Sequence, residues 1–200
     1  MLRLDQVLRV IEALGGRLTA QVQWQGGDLD RLLNARHSAL HESVAREFAG
    51  MPDWILAPEV SFAIRGERGV IDILAWHGRS STLLVIELKT EIVDVNDLMG
   101  TADRKRRLAL EVARERGWNA VRVALWVVVA DSRTNRRRVG AHATVLRSAF
   151  PVDGRSIRGW LREPAGTLAC LSFWTDDRLG GTKTDLATVK RVRVGRRAAA

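Results

Sequence analysis

Two hundred residues, 46% hydrophobic and 28% charged, suit one globular domain, or one domain with an appendage, and exclude a chain too small or too polar for a core. The excess of 32 Lys+Arg over 23 Asp+Glu, a net +9, favours a polyanionic partner, DNA or RNA ahead of an anionic membrane, although an Arg-rich GC-rich genome gives part of the same excess. No apolar run approaches the ~18 residues of a membrane span, the start "MLRLDQVLRV" lacks a signal-peptide layout, and the single cysteine excludes an internal disulfide and a thiolate-rich zinc site; the expectation is a cytoplasmic protein with no membrane partner.

In chain order, residues 3–14 have helical apolar spacing and stop at Gly15-Gly16, and "RLTAQVQW" (17–24) reads as a short strand. Residues 1–27 thus form an attached element too small for a second core. Asp28 is a suitable N-cap for a helix reaching about Phe48. The strand "WILAPEVSFAI" (54–64) contains Pro58 and is therefore expected to be bent or at a sheet edge. "GERG" (66–69) predicts a hairpin turn, "VIDILAW" (70–76) a second strand, "HGRSS" another turn, and "TLLVIELKT" (82–90) a third strand. Asp94 caps a helix to about Arg116. "VRVALWVVVA" (121–130) is apolar throughout, as a central strand covered on both faces must be. A basic helix over 133–149, a short helix or turn near 155–162 and the strand "LACLSFW" (168–174) follow. Cys170, in that strand, reads as a small buried hydrophobe. The tail 176–200 is Gly- and Lys/Arg-rich, and its "ATVKRVRV" has the pattern of an edge strand. A core over 28–175 with a mixed α/β sheet is the expected architecture.

Strand alternation puts Leu83, Val85, Glu87 and Lys89 on one face of the third strand, so that face is apolar at its start and ionic at its end. In the second strand Asp72 falls on a face with Val70, Leu74 and Trp76, and antiparallel pairing brings it near Glu87. Charged side chains are rarely buried unless paired or metal-bound. Two carboxylates beside an ammonium suit Mg²⁺ or Mn²⁺, held by oxygen ligands, with Lys89 orienting or deprotonating an attacking water and stabilising charge on phosphorus. The plainer alternative is an ion pair of Lys89 with Asp72 or Glu87 that finishes the strand.

The "ID" of 71–72 followed by "IELK" (86–89), in a helix–meander–helix–strand order over roughly 35–130, resembles the PD-(D/E)XK nuclease superfamily. Ile71 stands where the family pattern has proline, at a position that is not a ligand. Within the superfamily the chain looks most like actinobacterial nuclease-like proteins, some with a helix-turn-helix ahead of the nuclease-like domain; residues 1–16 offer only one clear helix. The resemblance implies a restriction-endonuclease-like core, Mg²⁺ or Mn²⁺ bound by Asp72, Glu87 and the Leu88 carbonyl, and Lys89 as the catalytic lysine. It also singles out Glu42, on the flank of the first core helix, as a third acid, and Lys105, from the helix after the third strand, as a further site residue. Their alternatives are a solvated helix acid and a lysine that snorkels out of an apolar face.

Arg133, Arg136, Arg137 and Arg138 cluster where a helix follows the central strand, which reads as a phosphate grip or as a solvated basic face. His37 and His41, four apart, lack a third ligand and read as solvated or capping, and His77 lies at the opposite strand ends from the site. The expectation is a Mg²⁺-dependent nuclease hydrolysing phosphodiester bonds in DNA, with a homodimer compatible with it. Its rivals are a non-catalytic DNA-binding or regulatory protein with the same fold, and an RNA-directed or structural protein whose charged residues are only an ion-pair cluster.

Overall fold

The apolar run around Trp126 has no polar face to offer water, so its strand has to lie inside a sheet with cover above and below. A computed structural model, which describes residues 13–15 and 27–175, has that arrangement. The chain divides into two units, Met1–Asn34 and Ala35–Ala200, and the second carries the whole sheet. The expected strand at 17–24, most of the helix at 3–14 and the tail strand lie outside the described residues. Helix α1 is Gly27–Arg46, and strands β1 (Trp54–Ile64), β2 (Glu67–His77) and β3 (Thr82–Lys89) form an antiparallel meander. Helix α2 (Val95–Glu115) leads to β4 (Arg122–Ala130), which pairs with β3 in parallel. After α3 (Arg133–Ala141) and α4 (Ala143–Ala149) come β5 (Val152–Asp153), a 3-10 turn, α5 (Ile157–Arg162) and β6 (Ala169–Trp174). The mixed six-stranded sheet has the order β1-β2-β3-β4-β6-β5.

Two apolar layers hold the sheet. On one face α2 packs Leu98, Ala102, Leu108, Ala109 and Val112 against Leu83, Val85, Leu125, Val127 and Val129. On the other, Leu40 and Val44 of α1, Phe48 beyond it, and Ile157 and Leu161 of α5 pack against Leu84, Ile86, Leu88, Trp126 and Val128. The start of α2 is fixed by Asp94, whose Oδ1 accepts from the Asn96 amide at 2.7 Å. Among the described residues no helix is long and apolar enough to cross a membrane.

Several boundaries depart from the sequence reading. The first hairpin turns at Arg65-Gly66, with φ of 49° and 83°, because pairing runs on to Ile64↔Glu67 and leaves a two-residue loop. Positive φ at both loop residues matches the right-handed twist of the flanking strands, so "GERG" is mostly strand. The helix expected over 133–149 is two helices broken at His142, whose φ of −116° is not helical. The first core helix starts at Gly27 and ends at Arg46, before Phe48. Pro58 does lie in an edge strand, and the strand does bend there: its burial alternation changes phase between Ala57 and Val60, across Glu59 at φ 47°.

Candidate active site

The bend in β1 is matched in β2. Leu74 and Trp76 face α2, yet so does Ile71, three residues from Leu74, while Ile73 and Ala75 face the opposite layer. Alternation of period two therefore slips at Asp72, beside the unpaired Glu59, and the expected face shared by Asp72 with Val70 does not exist. Val70 is exposed. The ladder between β2 and β3 ends at Ile73↔Ile86. Beyond it the Leu88 amide donates to Asp72 Oδ2 at 2.7 Å, so a side chain takes an N–H of the strand. That bond sets the Asp72 carboxylate between the two strands at their open end.

Glu87 and Lys89 follow the expected alternation onto the α2 side. Lys105 belongs to the buried stripe of α2, with Leu98, Ala102, Ala109 and Val112. Helical side chains lean toward the helix N-terminus, and α2 starts just after β3 ends, so the Lys105 ammonium leans toward the end of β3. It does not snorkel to water: it meets Glu87 Oε2 and lies 4.0 Å from Asp72 Oδ2. Lys89 Nζ takes the other carboxylate oxygen, Glu87 Oε1, at 2.8 Å. Two acids and two lysines thus form one neutral quartet. Glu87 and Lys105 are enclosed (side chains 2% and 8% exposed), whereas Asp72 and Lys89 reach solvent at 17% and 27%.

The environment separates the two acids. Burial raises the Asp72 pKa, and the Glu87 charge raises it further, against Lys105 and the Leu88 amide. Burial works in the same direction on Glu87, but Lys105 and Lys89 outweigh it and hold Glu87 below the usual range. For Lys89, burial opposes the charge and Glu87, helped by Asp72 and Asp97, overcomes it, so its pKa is raised. Lys89 is therefore an ammonium at neutral pH, suited to orienting water and stabilising charge rather than to removing a proton.

The donor set fits a hard divalent cation. It is oxygen only, its two acids repel each other, and their facing oxygens already accommodate one cation, the Lys105 ammonium. Asp72 and Glu87 are the two acids that face that ammonium. Glu42 does not complete a group of three acids there: among the described residues no cluster of three or more His, Cys, Asp or Glu is assembled for a metal. Glu42 is exposed on α1, whose buried Leu40 and Val44 belong to the opposite layer.

The four arginines do not act as one cluster. Arg136 forms a two-pronged pair with Asp131 at 2.6 and 2.7 Å and lies over the Phe173 ring. Arg138 pairs with Glu91 at 2.9 Å and donates to the Ile92 carbonyl. Arg133 and Arg137 are exposed. Cys170 is buried and burial pushes its thiol up to about 12, in line with a packing role.

One buried polar position beside the quartet, Asn135, has no clear mark in the sequence. It is fully buried at the start of α3, capped by Ser132. Its Oδ1 accepts from the Ile92 amide at 3.0 Å, and its Nδ2 donates to the carbonyls of Thr90 at 3.1 Å and Ala130 at 2.8 Å. It ties the exit of β3, one residue past Lys89, to the end of β4. A polar residue in the first helical turn after a central strand is the available signal, and a weak one. Compared with known protein families, curated proteins and solved structures, the chain has no match.

Proposed function

We propose that this protein is a metal-dependent nuclease that hydrolyses DNA phosphodiester bonds at the carboxyl end of β3, within a restriction-endonuclease-like core. The observation that supports this most is the convergence of Asp72, Glu87 and Lys89, from two strands, at one partly open end of the sheet. Ligands of α/β sheets commonly bind outside the carboxyl ends of the strands, and β3, β4 and β6 all end on that side.

In this reading Asp72, Glu87 and the Leu88 carbonyl hold Mg²⁺ or Mn²⁺. The cation supplies Lewis-acid stabilisation of charge on the phosphoryl oxygens. Lys89 remains protonated, is kept in place by Glu87 Oε1, and presents its ammonium to the attacking water and to the developing phosphorane charge. Asn135 keeps the Thr90–Ile92 exit in register so that Lys89 points outward. Arg133 and Arg137, at the start of α3 beside that exit, provide non-specific phosphate contacts. The net charge of +9 adds a salt-sensitive attraction for the same polyanion.

The test is cleavage of supercoiled and linear plasmid with Mg²⁺, Mn²⁺ or EDTA, beside Lys89→Ala. Metal-dependent cutting that falls by about 10²-fold or more in the variant is the expected result. A specific observation favours a second reading, a DNA-binding protein without catalysis: the quartet is electrically complete with its own two lysines. Binding of DNA by both proteins with no cutting under any metal would select that reading.

A further inference from the structure

Each oxygen of Glu87 carries one ammonium, Oε1 that of Lys89 and Oε2 that of Lys105, which lies on the side facing Asp72. Oε2 is the oxygen whose partner also reaches toward Asp72, 4.0 Å from its Oδ2. A divalent cation that joins Asp72 to Glu87 therefore needs the place where the Lys105 ammonium sits. We infer that Lys105 is a resident counter-ion that holds the two carboxylates in the resting protein and has to leave for the metal to enter. The inference rests on the proposed metal-dependent reading and adds a control to it.

Charge balance gives the reason for the exchange. The resting quartet is neutral. If a divalent cation joined it and both lysines stayed, an enclosed site would carry two excess positive charges, a heavy desolvation load. If Lys105 moves into water, one excess charge remains, and a single phosphodiester anion cancels it. Metal alone can then enter with one uncompensated charge, and substrate tightens its binding. The route out is short, because Asp72 and Lys89 already border solvent and the lysine stem is long and flexible.

The purified full chain is titrated with Mn²⁺, and bound metal is read from loss of the free-ion paramagnetic resonance signal. In parallel, a limiting amine-acylating reagent is applied and each lysine is scored by peptide mass spectrometry. Lys183 and Lys190 serve as internal references, and Lys89 is followed as the neighbour on the same carboxylate. The expected result is that Lys105, protected without metal, is labelled several-fold faster as Mn²⁺ saturates, and that Asp72→Asn abolishes the rise. Lys105→Met should tighten Mn²⁺ binding on the order of tenfold or more, because a competing unit charge is removed at close range. The labelling uses the wild-type protein and stands even if that variant folds poorly. Saturable Mn²⁺ binding with Lys105 still protected, or with the increase at Lys89 instead, overturns the inference and leaves the metal reading intact. Binding by neither wild type nor Lys105→Met removes the metal reading, and this inference with it.

Discussion

At its amino end β3 meets His77, Ser80, Thr82 and Arg122, and at its carboxyl end Asp72, Lys89 and Lys105. Both groups are largely enclosed. The amino end closes a turn with groups that are mostly neutral: Ser80 donates its backbone N–H to His77 Nδ1 at 3.2 Å and its Oγ to Thr82 at 2.9 Å, while Arg122 donates to the Ser80 carbonyl at 2.6 Å. The carboxyl end, with Glu87, concentrates four formal charges. Hydrogen bonds and a single guanidinium finish the strand at the amino end, and a buried ion cluster is a poor source of stability because desolvation offsets its attraction. The contrast points to chemistry at one end only.

The largest effect that could break this contrast is expected at Glu87. Glu87→Gln leaves two ammonium groups without their common anion, in a site that is almost closed. Breaking a buried pair in this way costs about 3–5 kcal/mol. Urea denaturation should show that loss, together with loss of any metal-dependent cleavage. A drop no larger than that of Thr82→Val at the other end would mean that the quartet is hydrated and not a buried cluster. Next in size is Asn135→Ala, which orphans the Ile92 amide and two carbonyls and should cost about 1–3 kcal/mol. Because Asn135 anchors the exit beside Lys89, cleavage should fall with it while DNA binding is retained. Unchanged cleavage would separate Asn135 from the site.

Much of this is legible in the sequence, and the failures have physical causes. The apolar run of β4, the meander and the Glu87/Lys89 alternation all follow from regular strand geometry. Strand pairing brings Asp72 near Glu87, but simple alternation is an incomplete reason for it. The alternation slips at that residue, and the slip comes from a left-handed residue in the neighbouring strand, Glu59, that no pattern within β2 records. The direction of Lys105 stays open along the chain because a lysine in an apolar stripe either snorkels or finds a buried anion, and only the position of Glu87 decides. The four arginines of α3 look alike in sequence, yet Asp131, Glu91 and Phe173 lie around two of them only in three dimensions. Asn135 joins residues over 40 positions apart, beyond any local signal.

A smaller effect sharpens the comparison at Lys89, whose side chain is the most exposed of the quartet. Lys89→Ala leaves Glu87 its second partner, Lys105, so its stability loss should be about 1 kcal/mol or less while cleavage collapses. A loss as large as that of Glu87→Gln would mark Lys89 as structural. The two measurements together separate a residue kept for the fold from one kept for reaction.

The smallest effect belongs to the amino end and depends on pH. Nδ1 of His77 faces the Ser80 hydroxyl at 2.7 Å and the Ser80 amide at 3.2 Å, and in the protonated ring, where both nitrogens are donors, that amide faces another N–H. Burial lowers the His77 pKa from its ordinary 6.5, Arg79 adds to this, and Asp53 opposes it without reversing it. A base with a depressed folded pKa binds fewer protons folded than unfolded. Its stabilising contribution is therefore full above pH 6.5 and is lost as pH falls from there toward the folded value. Against His77→Gln, which cannot titrate, the wild type should lose its stability advantage progressively over that acid range, as read by urea denaturation at stepped pH. An advantage that stays constant or grows with acid would mean that the ring carries charge. The amino end would then be a second ionic site, and the contrast between the two ends of β3 would no longer hold.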